Sequence, residues 1–111
     1  MNNAYLLAEL VATYRKHGWE FRSALLQPAT LAEIPAEMLA NVAVKEAEFD
    51  ALWFSRPSHD NREAWELRLL AQTQYALFEA FEPDETQEQR DEARREMEAR
   101  MRDYLAADER G

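Results

Sequence analysis

Two stretches of this chain, Ala51 to Arg56 and Glu63 to Leu70, carry apolar residues spaced for extended backbone. Between them lies Pro57-Ser58-His59-Asp60-Asn61-Arg62, a run of turn formers. This pattern constrains the fold more than any other, because two strands joined by a short turn pair as an antiparallel hairpin. Glycine occurs only at positions 18 and 111. Any left-handed backbone in the turn therefore falls to Asp60 and Asn61, whose short polar side chains tolerate it. Side chains alternate along a strand, so the loop length decides which residues share a face. An even loop groups Leu52 and Phe54 with Trp65, Leu67 and Leu69, and turns Trp53 outward beside Glu66 and Arg68. An odd loop puts Trp53 and Trp65 together in the core. The even loop collects more apolar residues on one face and leaves charges on the other, so it is the expected register.

The flanking segments supply the other elements. Leu6, Leu7, Leu10, Val11 and Tyr14 recur at helical spacing and predict a helix over residues 3–17. Asn2 or Asn3 can cap its start, Lys16 and His17 suit its negative end, and Gly18 suits the position after it. Between Trp19 and Gln27, Trp19, Phe21 and Leu25 alternate with Glu20, Arg22 and Ala24, which predicts a strand ended by Pro28. Residues 28–48 read as a connection, with room for a short helix over Ala36 to Val42 after Pro35. Tyr75 to Glu82 fits either period, and its aromatics favour a fourth strand. Pro83 breaks the chain, and Thr86 to Gln89 matches a capping box opening a long helix that ends near residue 107. Asp91–Arg95, Glu96–Arg100 and Glu98–Arg102 are acid-before-base pairs one turn apart that support it. Its apolar stripe is narrow: Ala93, Met97, Met101, Tyr104 and Leu105. The expected fold class is α+β, in one domain over residues 1–111: an N-terminal helix, an antiparallel sheet of three to four strands and a long C-terminal helix over about 84–107 that packs on the sheet or projects from it.

Composition narrows the function classes. With 111 residues, the chain suits one modest core. It has no cysteine, so disulfides, thiolate metal sites and a cysteine nucleophile are excluded. The opening MNNAYLLAEL lacks a basic region and carries Glu9 within its apolar stretch, unlike a secretory signal. No apolar run approaches the ~20 residues of a membrane helix. These features suit a reducing compartment, and a cytoplasmic location is expected. The net charge of −9 opposes phosphate backbones and anionic lipid surfaces, which argues against direct nucleic-acid or membrane binding.

Catalytic patterns find little support. Ser58, His59 and Asp60 have the residue types of a hydrolytic triad but are consecutive, and sequence neighbours seldom adopt its geometry, so a solvated turn is the expected reading. His17 and His59 are the only histidines and sit at no metal-ligand spacing. His17 reads better as the cation ending the first helix. The 22 acidic residues do not reveal a glycosidase pair, whose separation is spatial. Two glycines cannot build a phosphate loop. Arg56, Arg62 and Arg68 near Trp53 and Trp65 are a base-stacking pattern, but Asp60, Glu63 and Glu66 interleave with them.

The expected function is a small acidic non-enzymatic protein-interaction module of the inhibitor, immunity, chaperone or adaptor type. It would use no cofactor and no metal, and would bind a protein partner or itself as a homodimer. The candidate partner-binding residues are Trp53, Arg56, Glu66 and Arg68 around the hairpin and Met97, Met101 and Tyr104 on the last helix, because outward tryptophan, arginine and methionine are common interface anchors. Two alternatives have their own signatures. A small enzyme or ligand-binding domain would join Arg56 or Arg68 to a perturbed carboxylate in a deep pocket. An acidic nucleic-acid mimic would present an acid-rich face to a basic protein.

Overall fold

A computed structural model describes residues 2–110. Its elements are α1 (Asn3–Lys16), β1 (Glu20–Leu26), α2 (Pro28–Glu33), a 3-10 turn (Ala36–Leu39), β2 (Ala43–Glu46), β3 (Ala51–Pro57), a second 3-10 turn (His59–Asn61), β4 (Glu63–Leu69), β5 (Ala76–Phe81) and α3 (Gln87–Arg110). The class is α+β, with helices at both ends as expected. The sheet departs from expectation: it has five strands in the order β2-β1-β3-β4-β5 and is mixed, because β1 and β2 run parallel. The added strand is β2. It is four residues long and exposed throughout, so it carries no apolar alternation to read. Pro28 starts α2, whose turn returns the chain for the parallel pairing.

The helix ends follow their local chemistry. Asn2 caps α1 by accepting from the Tyr5 N–H at 2.8 Å. Gly18, at φ +86°, lets its own N–H and that of Trp19 reach the Arg15 and Tyr14 carbonyls, each at 3.0 Å. His17 caps the same end, with its ring Nδ1 2.9 Å from the Thr13 carbonyl. Thr86 and Gln89 form the reciprocal box at the start of α3, with bonds of 2.8 and 3.1 Å. Two of the expected pairs along α3 are replaced: Arg95 pairs with Glu92 at 2.6 Å instead of Asp91, and Arg102 reaches Glu48 at 3.6 Å instead of Glu98.

The hairpin loop overturns the expected register. Trp53 pairs with Leu67, Ser55 with Trp65, and Pro57 with Glu63, leaving an odd loop from Ser58 to Arg62. Asp60 and Asn61 supply the left-handed backbone, at φ 57° and 61°. Trp53 therefore shares a face with Trp65, Leu67 and Leu69, while Leu52 and Phe54 share the other with Glu66 and Arg68. The even-loop argument assumed that one sheet face meets water. Here both faces are covered over β3, and Ala51 to Ser55 are buried without interruption.

Two cores result. Beneath α3 lie Leu25, Phe49, Trp53, Trp65, Leu67, Leu77 and Phe81, together with Met97 and Met101. Beneath α1 and α2 lie Leu7, Leu10, Val11, Phe21, Ala24, Leu26, Ile34, Leu52 and Phe54. A register shift between Phe21 and Ser23 explains why strict alternation fails along β1. The extra residue puts Phe21 with Ala24 and Leu26 on the α1 side and sends Leu25 to the α3 side.

Candidate functional site

The residues expected to meet a partner divide between the two sheet faces. Trp53, Met97 and Met101 are inside the molecule, 1%, 2% and 0% exposed. The α3 helix covers Trp53 from within the same chain. The indole N–H donates to Glu98 at 3.0 Å, and the Arg94 guanidinium lies 4.8 Å from its ring. Arg94 also lies 4.3 Å from the Trp65 ring, and Trp53 and Trp65 meet edge to face at 6.0 Å. Burial pushes the Arg94 guanidinium below its ordinary value, and its Nε is buried without a partner. Tyr104, half-buried, stacks on Tyr75 at 3.6 Å and ties the end of α3 to the start of β5. The outward patch of Trp53 with Glu66 and Arg68 does not exist, since Trp53 faces α3 and the other two face α1.

Arg56, Glu66 and Arg68 lie on the α1 side, each with an intramolecular bond. Arg56 donates to the His17 carbonyl at 2.8 Å and covers the Trp19 ring at 4.7 Å, joining β3 to the end of α1. Glu66 accepts from the Tyr14 hydroxyl, and Tyr14 stacks on Phe54 at 4.0 Å. Burial first, then the bond to Glu66, raises the Tyr14 hydroxyl above its ordinary value. Arg68 donates to the Leu69 carbonyl at 3.1 Å and the Ala71 carbonyl at 3.4 Å.

The other sequence patterns acquire positions too. Ser58, His59 and Asp60 are exposed in the hairpin turn, and Asp60 lies 3.5 Å from Arg62. His17, Arg56, Ser58 and His59 line one open hollow, which contains no carboxylate. Arg62 is held by Glu82 at 2.7 Å. Trp53 and Trp65 are both buried, so neither offers a free face to a base. Among the described residues, no group of three or more His, Asp or Glu is arranged to hold a metal ion. Among the same residues, no helix is long and apolar enough to cross a membrane.

One strip of sheet lacks a covering helix. On β5, Leu77 and Phe81 are buried toward α3, while Ala76 and Phe78 on the opposite side are exposed and Ala80 is half-buried. Phe78 is 57% exposed, the largest value among the exposed large apolar side chains. It stands opposite Glu66, and Ala76 stands opposite Arg68. The helix α1 covers this face over β1 and β3 and reaches β4 through Tyr14, stopping short of β5. Among the described residues, no strand pairs with the outer side of β5. The Leu69 N–H donates to the Tyr75 carbonyl at 3.0 Å, so Tyr75, Leu77, Glu79 and Phe81 direct their backbone groups at β4. By alternation, Ala76, Phe78 and Ala80 direct theirs outward, away from the sheet.

The sequence reading missed Phe78, although a signal was present. Once residues 75–82 are a strand with Tyr75, Leu77 and Phe81 inward, period two leaves Phe78 alone on the other side. The strip thus combines an exposed aromatic ring, a neighbouring acid and base, and an open row of backbone donors and acceptors. The backbone groups of that row are spaced as an added strand would require. No protein-family model, no curated protein and no solved structure matches this chain.

Proposed function

We propose that this chain is a non-enzymatic protein-interaction module that docks a polypeptide along the β4–β5 strip and the open edge of β5. The observation that carries this reading is the exposure of Phe78 in the middle of that edge strand. Edge strands in soluble proteins are usually shortened or charged so that they do not pair. The opposite edge, β2, follows that rule, being four residues long with Lys45 and Glu46 on it. The β5 edge is six residues long, and its outward-bonding residues Ala76, Phe78 and Ala80 carry no charge. Of the residues expected from sequence, Glu66 and Arg68 belong to this docking surface, Glu66 beside Phe78 and Arg68 beside Ala76. Trp53, Met97 and Met101 contribute by holding α3 against the back of the same strands.

A photo-crosslinking amino acid in place of Phe78 tests the reading in living cells. The control is the same replacement at Tyr5, which is 55% exposed on the outer side of α1. The expected result is a discrete crosslinked product from position 78, absent at position 5 and lost when Ala80→Pro is added. Equal, diffuse labelling from both positions would remove the basis for this surface.

A further inference from the structure

The β5 edge has a self-complementary pattern, and we infer that its occupant is β5 of a second copy of this chain, paired antiparallel with Phe78 on the two-fold axis. This inference names the partner and rests on the docking role proposed above for the same strip.

The backbone selects the register. In an antiparallel pair, residues whose N–H and C=O both point at the partner strand exchange both bonds with the residue opposite. On β5 those residues are Ala76, Phe78 and Ala80. With Phe78 on the axis, the two Phe78 residues exchange their bonds, and each Ala76 exchanges with Ala80 of the other copy. All three outward residues are then satisfied together. A one-residue slip would bring outward-bonding groups opposite inward-bonding ones and leave them unpaired.

The side chains agree with that register on both faces. On the α1 side the two Phe78 rings meet, flanked along each strand by Ala76 and Ala80, whose small side chains leave space for them. Aromatic pairs directly across an antiparallel ladder stabilise it. On the α3 side each Glu79 stands opposite Leu77 of the second copy, and Tyr75 opposite Phe81, so no acid faces an acid directly. Centring the axis on Glu79 would oppose the two carboxylates, which the Phe78-centred register avoids. The helix α3 lies over both β4 and β5, with Arg90 reaching Glu63 at 3.4 Å and the Phe81 ring at 5.7 Å and Tyr104 stacking on Tyr75, while the backbone groups of Ala76, Phe78 and Ala80 point outward in the plane of the sheet.

Charge gives the association a distinctive sign. Each copy carries −9, and the two Glu79 carboxylates sit on a diagonal across the axis, so added salt strengthens the pair. A complex with a basic partner weakens with salt instead.

Light scattering on the full purified chain, at concentrations up to about 1 mM and at salt near 0.15 M and near 1 M, tests the inference. The expected result is a dimer whose population rises with salt. Phe78→Lys places two like charges on the axis, and Ala80→Pro removes an outward N–H without touching the bonds to β4. Each variant should keep its circular dichroism and thermal transition while dimerising at least about tenfold more weakly. A wild-type monomer at every concentration and salt overturns the inference, as does a dimer indifferent to both substitutions. If the wild-type chain is a monomer while position 78 still crosslinks a different protein in cells, the second copy is excluded and the docking role stands. If neither occurs, both readings fall.

Discussion

Replacing Trp53 with alanine tests the hairpin register directly, because the two loop lengths assign that side chain opposite surroundings. In the fold described here Trp53 is 1% exposed, packs edge to face on Trp65, lies beneath Arg94 and donates to Glu98. Removing a buried tryptophan costs about 3 to 5 kcal/mol, which already includes the ring contacts it loses. At about 0.05 to 0.15 kcal/mol per residue, a chain of 111 residues has a total stability of roughly 6 to 17 kcal/mol. The variant therefore remains folded but loses a large share of its margin. With a urea slope near 2 kcal/mol/M, the unfolding midpoint falls by roughly 2 M. Far-ultraviolet circular dichroism is the appropriate probe, since the substitution removes one of the three tryptophans. Phe78→Ala is the internal control: Phe78 is 57% exposed, and the change should fall within about 0.5 kcal/mol. A loss below about 1 kcal/mol for Trp53→Ala would refute the reasoning. It would mean that the indole sits on a solvent-facing surface, as an even loop requires.

Three further outcomes follow from the same packing. A chain ended before Asp84 loses Met97 and Met101 from the core under the sheet, so it should show no cooperative thermal transition; a folded truncated monomer would show that α3 is dispensable. Thr86→Ala removes one half of the capping box and should lower stability by about 1 kcal/mol in chemical denaturation, with an unchanged value refuting the cap. Tyr14 should ionise later than an ordinary tyrosine, because burial and the Glu66 carboxylate raise it above 10.0. A raised value means that the folded state holds this proton longer than the unfolded state. The stability it contributes is complete below about pH 10 and declines as pH rises beyond it. Absorbance titration should show a late phenolate step coinciding with unfolding and missing in Tyr14→Phe, whereas a titration curve unchanged by Tyr14→Phe at its late end contradicts the prediction.

Sequence reading worked where a local cause acts alone. The span of α1 follows from Asn2, the apolar stripe and Gly18, and the start of α3 follows from Thr86 and Gln89, all within one turn of the feature they explain. The turn at Asp60 and Asn61 was legible for the same reason, since few other residues there tolerate positive φ. The strand β2 was not legible, because an exposed four-residue edge strand is held by its neighbour's backbone and leaves no apolar period. Parity failed twice, at the bulge in β1 and at the odd hairpin loop, because one inserted residue inverts every side chain beyond it without changing composition. The candidate site suffered from the second error. An even loop turns Trp53 outward and gives Phe78 no special place, whereas the inward Trp53 and the outward Phe78 both follow from alternation once the register is known.

By itself, the sequence determined the class of fold, the element boundaries set by caps and prolines, and the absence of cysteine chemistry. These depend on backbone preferences and composition, which are properties of a few adjacent residues. Only the tertiary structure decided that both faces of the central strands are covered, which puts Trp53, Met97 and Met101 inside, and that α1 stops short of β5, which leaves Phe78 outside. Burial is a property of what packs over a residue, and the covering helices come from the two ends of the chain. No window of sequence around residues 51–82 contains that information.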